Sequence, residues 1–293
     1  MMEAIKVGFC VAYDWYLLEY ALPLIYADAT VIGLSIDQER ISWSGNPYPF
    51  DEAGFKTLIT RLDPEGKIRV YEENYHLPDL TPMQNEVRQR NLMAKQLGEG
   101  GWYIQLDCDE YFLDFPGFVR HLRSLPSQRT RRANICCPWI ILYKQTDEGF
   151  LYVDPVTVER TEFMQIATRE PAYEYGRRNG NFNIYVNFSI LHQSWARSRA
   201  EIQEKINNWG HSDHFDREKY FSFWDKLSAS NFYTAKDIHP IKPQEWPGLK
   251  YVKGSDIREL LINFPVDSMP TYSGVKLFFK NSRLFSKVRS LLK

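Results

Sequence analysis

The sequence has no CxxC pair. Its four cysteines are Cys10, Cys108, Cys136 and Cys137, and three of them sit in apolar, strand-like runs. That excludes a disulfide framework and predicts buried thiols in a reducing compartment. An excess of charge is missing too. Lys and Arg total 36 against 37 Asp and Glu, so the formal net charge is -1. A whole-molecule basic field for nucleic acid is thereby excluded. No stretch approaches the ~18 apolar residues of a membrane span. Met1 to Gly8 shows no apolar run behind a basic cluster, so no cleaved leader is expected. There is no internal repeat and no low-complexity tract. The expectation is a cytoplasmic protein, soluble or peripheral at the inner face of a membrane.

What is present suits a globular chain. The 293 residues are 44% hydrophobic and 15% aromatic, enough for one large α/β domain with additions or for two small domains. Trp and Tyr offer flat faces for sugars or bases, and they also fill cores. Lys6 to Ala12, Ala29 to Ile36, Ile68 to Tyr71 and Trp102 to Leu106 read as strands. Trp15 to Tyr26, interrupted by Pro23, and Gln84 to Leu97 read as helices, the second ended by Gly98, Gly100 and Gly101. The alternation predicts an α/β fold with a mostly parallel sheet and helices on both faces. Further on, Asn134 to Tyr143 and Ile184 to Leu191 read as strands, and Arg169 to Asn183 as a charged loop. Arg199 to Trp209 reads as a helix. His239 to Gly248, with three prolines, reads as a linker. The boundary is placed after residue 235, giving a catalytic domain over 1–235 and an extension over 236–293.

In such sheets, ligands bind beyond the carboxyl ends of the strands. Asp37 and Asp107 both fall at such ends. Asp107-Cys108-Asp109-Glu110 follows an apolar strand, and two carboxylates at i and i+2 can converge once the chain turns. Hard divalent cations such as Mg²⁺ or Mn²⁺ take one or two carboxylates together with phosphate oxygens and water. A metal so held neutralises a diphosphate leaving group. Arg88 or Arg90 could pair with phosphate oxygens through the planar guanidinium fork. Asp14, or its neighbour Tyr13, ends the first strand and could touch a nucleoside.

Arg90-Asn91 on a helix, then a glycine-bearing turn, Trp102, a strand and Asp107 to Glu110 resemble the GT-A glycosyltransferases of the family 2 kind. The likeness is specific over Glu86 to Phe112 and loose over 4 to 195. It implies a Rossmann-like nucleotide-binding sheet and a nucleotide-diphospho-sugar donor. Asp37 would contact the base or ribose, although SIDQER departs from the family's double-Asp pattern. Asp107 and Cys108 would lie at the donor, and Asp107, Asp109 and His192 would hold Mn²⁺ or Mg²⁺. The run Ile190-Leu191-His192-Gln193-Ser194-Trp195 resembles lipopolysaccharide-core and capsule-type transferases. In these the general base precedes the late strand that carries the His, which points to Glu174 first and Glu170 second among Asp154, Glu159, Glu162, Glu170 and Glu174. His211 and His214 could also line the site, with zinc ranked low. Trp195, Trp209 and Trp224 could stack on an acceptor sugar or pack in a core.

The implied activity is an inverting transfer to a glycan or lipid-linked acceptor, without nucleic acid. A nucleotidyltransferase is the alternative, but residues 13–22 contain no Gly, Lys or Arg to cradle a triphosphate. A non-catalytic carbohydrate-binding or scaffold protein is a third reading. Lys276 to Lys293 has six Lys or Arg and no acid. Its apolar spacing predicts a basic amphipathic helix, either on a membrane surface or packed on the domain.

Overall fold

A computed structural model describes residues 3–154, 161–208, 215–265, 269, 271–283 and 285. In chain order the elements begin β1 (Ile5–Val11), α1 (Leu18–Ile25), β2 (Val31–Asp37), α2 (Glu52–Leu62), β3 (Ile68–Glu73), α3 (Pro82–Gln96) and β4 (Trp102–Asp107). There follow β5 (Glu110–Phe112), α4 (Phe115–Ser124), α5 (Ser127–Thr130), β6 (Ala133–Thr146), β7 (Gly149–Val153), β8 (Phe163–Thr168), β9 (Phe182–Tyr185) and β10 (Ile190–His192). The last are α6 (Arg199–Asn208), α7 (Arg217–Lys226), β11 (Leu249–Lys253), α8 (Ile257–Asn263) and α9 (Gly274–Lys280). By contacts the chain forms two units: Met1–Cys137 with Phe163–Phe188 and Tyr272–Lys293, and Pro138–Glu162 with Ser189–Thr271. The cut read from the sequence after residue 235 falls inside the second unit.

The first unit is α/β and Rossmann-like. Its strands lie in the order β8-β4-β1-β2-β3. β1 pairs parallel with both β2 and β4, and β2 pairs parallel with β3; β8 runs antiparallel to β4. Both faces of β1 are covered. Gly8 and Cys10 face α3, where Met93 packs so closely that a Cβ on Gly8 would come within 2.7 Å of its methyl carbon. Ile5, Val7 and Phe9 point the other way by the strand's period of two and are also fully buried. α3 starts with a capping box: the Thr81 hydroxyl accepts from the Gln84 N–H, and the Gln84 side chain accepts from the Thr81 N–H.

Three helices of this unit, α2, α4 and the single turn α5, go beyond the elements read from the sequence. α2 buries only Phe55 and Leu58, a stripe too thin to stand out from a polar segment. α4 is stronger: Asp114 caps it, and Phe115, Phe118, Val119 and Leu122 line one face. The expected strand Ile184 to Leu191 is two strands, β9 and β10.

In the second unit, β7 pairs antiparallel with both β6 and β11. α6 and α7 belong to a core with Tyr143, Trp195, Ile202, Trp224, Ile238 and Trp246. Trp195 and Trp224 are therefore core residues; Trp209 lies outside the described residues. The expected linker His239 to Gly248 contributes Trp246 to that core, where its indole N–H donates to the Glu162 carboxylate at 3.0 Å. Its prolines shape a short 3₁₀ turn at Pro243–Glu245. All four cysteines are free and buried. Among the described residues no helix is long and apolar enough to cross a membrane.

Candidate functional site

The carboxyl end of β4 carries a buried charge network. Asp107 presents one oxygen, Oδ1, to Arg90 Nη2 at 2.9 Å and the other, Oδ2, to Arg177 Nη2 at 2.7 Å. Arg177 also donates to Glu110 Oε1 at 2.9 Å, while Glu110 Oε2 accepts from the Asp107 backbone N–H at 3.0 Å. Arg90 reaches back to Glu86 at 3.0 Å. Both arginines and Glu110 are buried, whereas the Asp107 side chain remains 30% exposed. Burial alone would raise the Asp107 carboxyl; the Arg177 and Arg90 guanidinium groups outweigh it and hold it below the usual carboxylate range.

α3 builds much of this site because its inward face is polar. Gln89 donates to the Ser35 carbonyl and hydroxyl at 2.9 and 3.0 Å, and accepts from the Trp43 indole at 2.6 Å. Asn85 bonds the backbone of Leu77 and the carbonyl of Trp43. Asn91 makes a reciprocal pair with Tyr173: its amide donates to the Tyr173 carbonyl and its oxygen accepts from the Tyr173 N–H, both at 2.9 Å. That pair fixes the start of the loop that delivers Arg177. The loop turns at Gly176, whose φ of +56° suits glycine.

Cys108, in the turn after Asp107, carries a buried thiol. Burial, then the Asp14 and Asp109 carboxylates, push that thiol well above the ordinary range. The Tyr48 hydroxyl is raised by burial and by Asp37, with Asp14 adding to it. Tyr13 lies edge-on to Tyr48, their ring centroids 6.2 Å apart.

The other residues read from the sequence fall as follows. Asp37 is 4% exposed, and its carboxylate accepts four backbone N–H groups, from Glu39, Ile41, Tyr75 and His76, at 2.9 to 3.2 Å. It braces two loops. Arg88 donates to the carbonyls of Asn74 and Tyr75 and so supports one of those loops. Cys108 is fully buried as a whole residue, and its thiol lies 3.7 Å from the Cys10 carbonyl. Glu170 stands at the wrong end of the sheet. β8 pairs Thr168 with Tyr103, at the amino end of the antiparallel neighbour β4, roughly 13 Å of strand from Asp107. Glu170 pairs there with Arg131 and Arg132 at 3.4 and 3.6 Å. Glu174 is exposed on the Arg177 loop. His192 belongs to the second unit, where its ring lies 4.3 Å from that of Trp139. Glu159, His211 and His214 lie outside the described residues.

Sequence reasoning missed Arg177. It comes from a loop 70 positions after Asp107, with no local pattern to mark it. Trp43, whose ring lies 5.6 Å from the Arg90 guanidinium, was equally silent.

The donor chemistry can be tested against a divalent cation. Each Asp107 oxygen already accepts from a guanidinium, which takes up one of its two lone-pair sites. Asp14 and Asp109 are hard oxygen donors of the kind Mg²⁺ or Mn²⁺ takes, one or two such groups sufficing when phosphate and water complete the shell. Among the described residues no three of His, Cys, Asp and Glu form a ready-made metal cluster.

No protein-family model matches the chain. No curated protein matches its sequence. Among solved structures, it is similar to a mannose-1-phosphate geranyltransferase from Thermus thermophilus, with a TM-score of 0.28 and 12% identity, over 78% of this chain and 66% of that one. A likeness at that level says nothing about activity.

Proposed function

We propose that the first unit binds a nucleotide-diphospho-sugar and that the protein is a glycosyltransferase acting on a glycan or lipid-linked acceptor. One observation carries this reading: at the carboxyl end of β4, in a parallel sheet ordered β4-β1-β2-β3, a partly exposed aspartate is held by two buried arginines. Ligands of such sheets bind beyond the strand ends. The motif from Arg90 to Glu110 supplies the resemblance, and the network explains its residue types. Arg90 needs Asp107 as counter-charge, and Glu110 needs Arg177.

In this reading Asp107 is the fixed anchor that aligns both guanidinium groups near a diphosphate. Asp109 and Asp14 are the residues that would hold Mg²⁺ or Mn²⁺. When bound, the ion would offset negative charge on the leaving diphosphate. Tyr13, Tyr48 and Trp43 offer ring faces beside the nucleoside. Glu174 is the acceptor-side carboxylate, supported by its exposure on the loop that Arg177 ties to Asp107. The role of His192 as a metal ligand rests on the sequence resemblance alone.

Calorimetry with nucleoside diphosphate sugars, with and without Mn²⁺, tests the reading. Metal-enhanced binding that falls at least tenfold in Asp109→Ala, with the fold intact, is expected. Binding of nucleoside triphosphates in preference would favour the nucleotidyltransferase. No nucleotide binding at all would leave a carbohydrate-binding protein.

A further inference from the structure

Helix α9 turns its apolar residues outward. Ser273 caps it. Val275, Phe278 and Phe279, at i, i+3 and i+4, share one helical face and are all exposed, Val275 by 68% and Phe278 by 70%. Phe285, also exposed, lies 4.9 Å ring to ring from Phe279. A packed helix would bury this face.

The helix is nevertheless firmly attached to the first unit, by its polar end. The Lys280 ammonium sits 4.3 Å over Tyr185, 4.6 Å over Tyr272 and 5.6 Å over Phe163, and donates to the Tyr272 hydroxyl at 2.9 Å. Asn281 makes a reciprocal pair with the Tyr185 backbone: its oxygen accepts at 2.8 Å and its amide donates at 2.9 Å. These contacts hold α9 on β9 while leaving its phenylalanines outside.

The surroundings are cationic. Arg283 lies over Phe182 and donates to the Arg129 carbonyl at 3.4 Å, which joins the tail to the Arg129, Arg131 and Arg132 cluster. The side chains of Arg131 and Arg132 are 73% exposed, and Glu170 is their carboxylate partner at 3.4 and 3.6 Å. No Asp or Glu occurs after Asp267 in the sequence. Exposed aromatic side chains on a basic tail, linked through Arg283 to an exposed arginine cluster, match an interface of anionic headgroups over hydrocarbon.

We infer that the first unit docks peripherally on an anionic phospholipid bilayer, inserting Val275, Phe278 and Phe279 and placing Arg129, Arg131, Arg132 and Lys276 against the headgroups. This stands independently of the donor assignment. It is a surface contact, with no crossing of the bilayer.

Co-sedimentation of the full chain with two vesicle types tests it: phosphatidylcholine alone, and phosphatidylcholine mixed with phosphatidylglycerol. Binding to the mixed vesicles only, weakening as salt rises, is expected. Phe278→Ser with Phe279→Ser should lower that binding roughly tenfold or more at an unchanged melting temperature, because both side chains are already in water. Arg131→Glu with Arg132→Glu should lower it to a similar degree without touching the apolar face. Equal partition to both vesicle types, or no binding to either, would overturn the inference. So would phenylalanine variants that bind vesicles like the parent. Loss of self-association in those variants without any vesicle binding would assign the face to a second copy. Retention on duplex DNA without vesicle binding would assign the basic cluster to a polyanion.

Discussion

The carboxyl ends of β2 and β4 each carry an aspartate, and the two ends are built differently. Asp37 is surrounded by main chain, its oxygens filled by four N–H groups from two loops. Asp107 is surrounded by side chains, one guanidinium on each oxygen, and is still partly open to solvent. Main-chain donors are fixed by the fold and have nowhere else to go. Guanidinium groups carry five N–H donors each and can hold a carboxylate and a phosphate together. Two acids in equivalent topological positions thus divide into a main-chain brace and a side-chain ion-pair network. Position at a strand end locates candidates, and the chemistry of the partners separates them.

The largest effect that probes this difference is expected at the brace. Asp37→Ala leaves four N–H groups without an acceptor and should lower stability by about 3–5 kcal/mol in urea unfolding, given the usual cost of losing charge-assisted bonds at buried groups. A loss under about 1 kcal/mol would place Asp37 with Asp107 as a carboxylate partly relieved by solvent. Asp107→Asn should cost less, about 1–2 kcal/mol, because solvent reaches the side chain. Its larger consequence should be in binding, with nucleoside diphosphate affinity down at least tenfold by calorimetry.

Asp107 also gives a pH signature. Asp107 has a folded-state carboxyl held below its unfolded value, so its contribution to stability is complete above the ordinary carboxylate pKa of about 3.9 and disappears as pH falls through the lower folded value. The stability gap between the parent and Asp107→Asn should therefore be flat near neutrality and close in acid, below about pH 4. A gap that instead opens as pH falls would reverse the assignment. The smallest effect belongs to Arg88→Ala. It removes bonds to the Asn74 and Tyr75 carbonyls and should cost about 1 kcal/mol with nucleotide binding unchanged. A tenfold loss of binding there would move Arg88 from the brace to the site.

Much of the first unit was legible because its signals are local. The apolar run of β4, the helix α3 and the glycines between them follow one another within 30 residues. What escaped depends on distance or on weak contrast. Arg177 enters from a loop whose own sequence is only charged and glycine-containing. Glu170 was misplaced because nothing in a linear reading shows that β8 runs antiparallel to β4, which sends its following residues to the opposite edge. Trp246 was read as part of a linker because prolines around it mark turns whether or not the aromatic between them is buried. Asp37 was located correctly, but the four N–H groups that surround it come from tertiary structure.

The polar face of α3 has a consequence for motion. Through Asn85, Gln89 and Asn91, a single helix holds the backbones or side chains of Trp43, Leu77 and Tyr173. Those three segments belong to three different loops. Opening any one of them means breaking bonds to the same helix, and grouped opening of the three loops is the expected outcome. Amide hydrogen exchange would register this as grouped protection, with the amides of Leu77 and Tyr173 exchanging at related rates although they lie far apart in sequence. A ligand ordering any one loop would slow exchange in the other two.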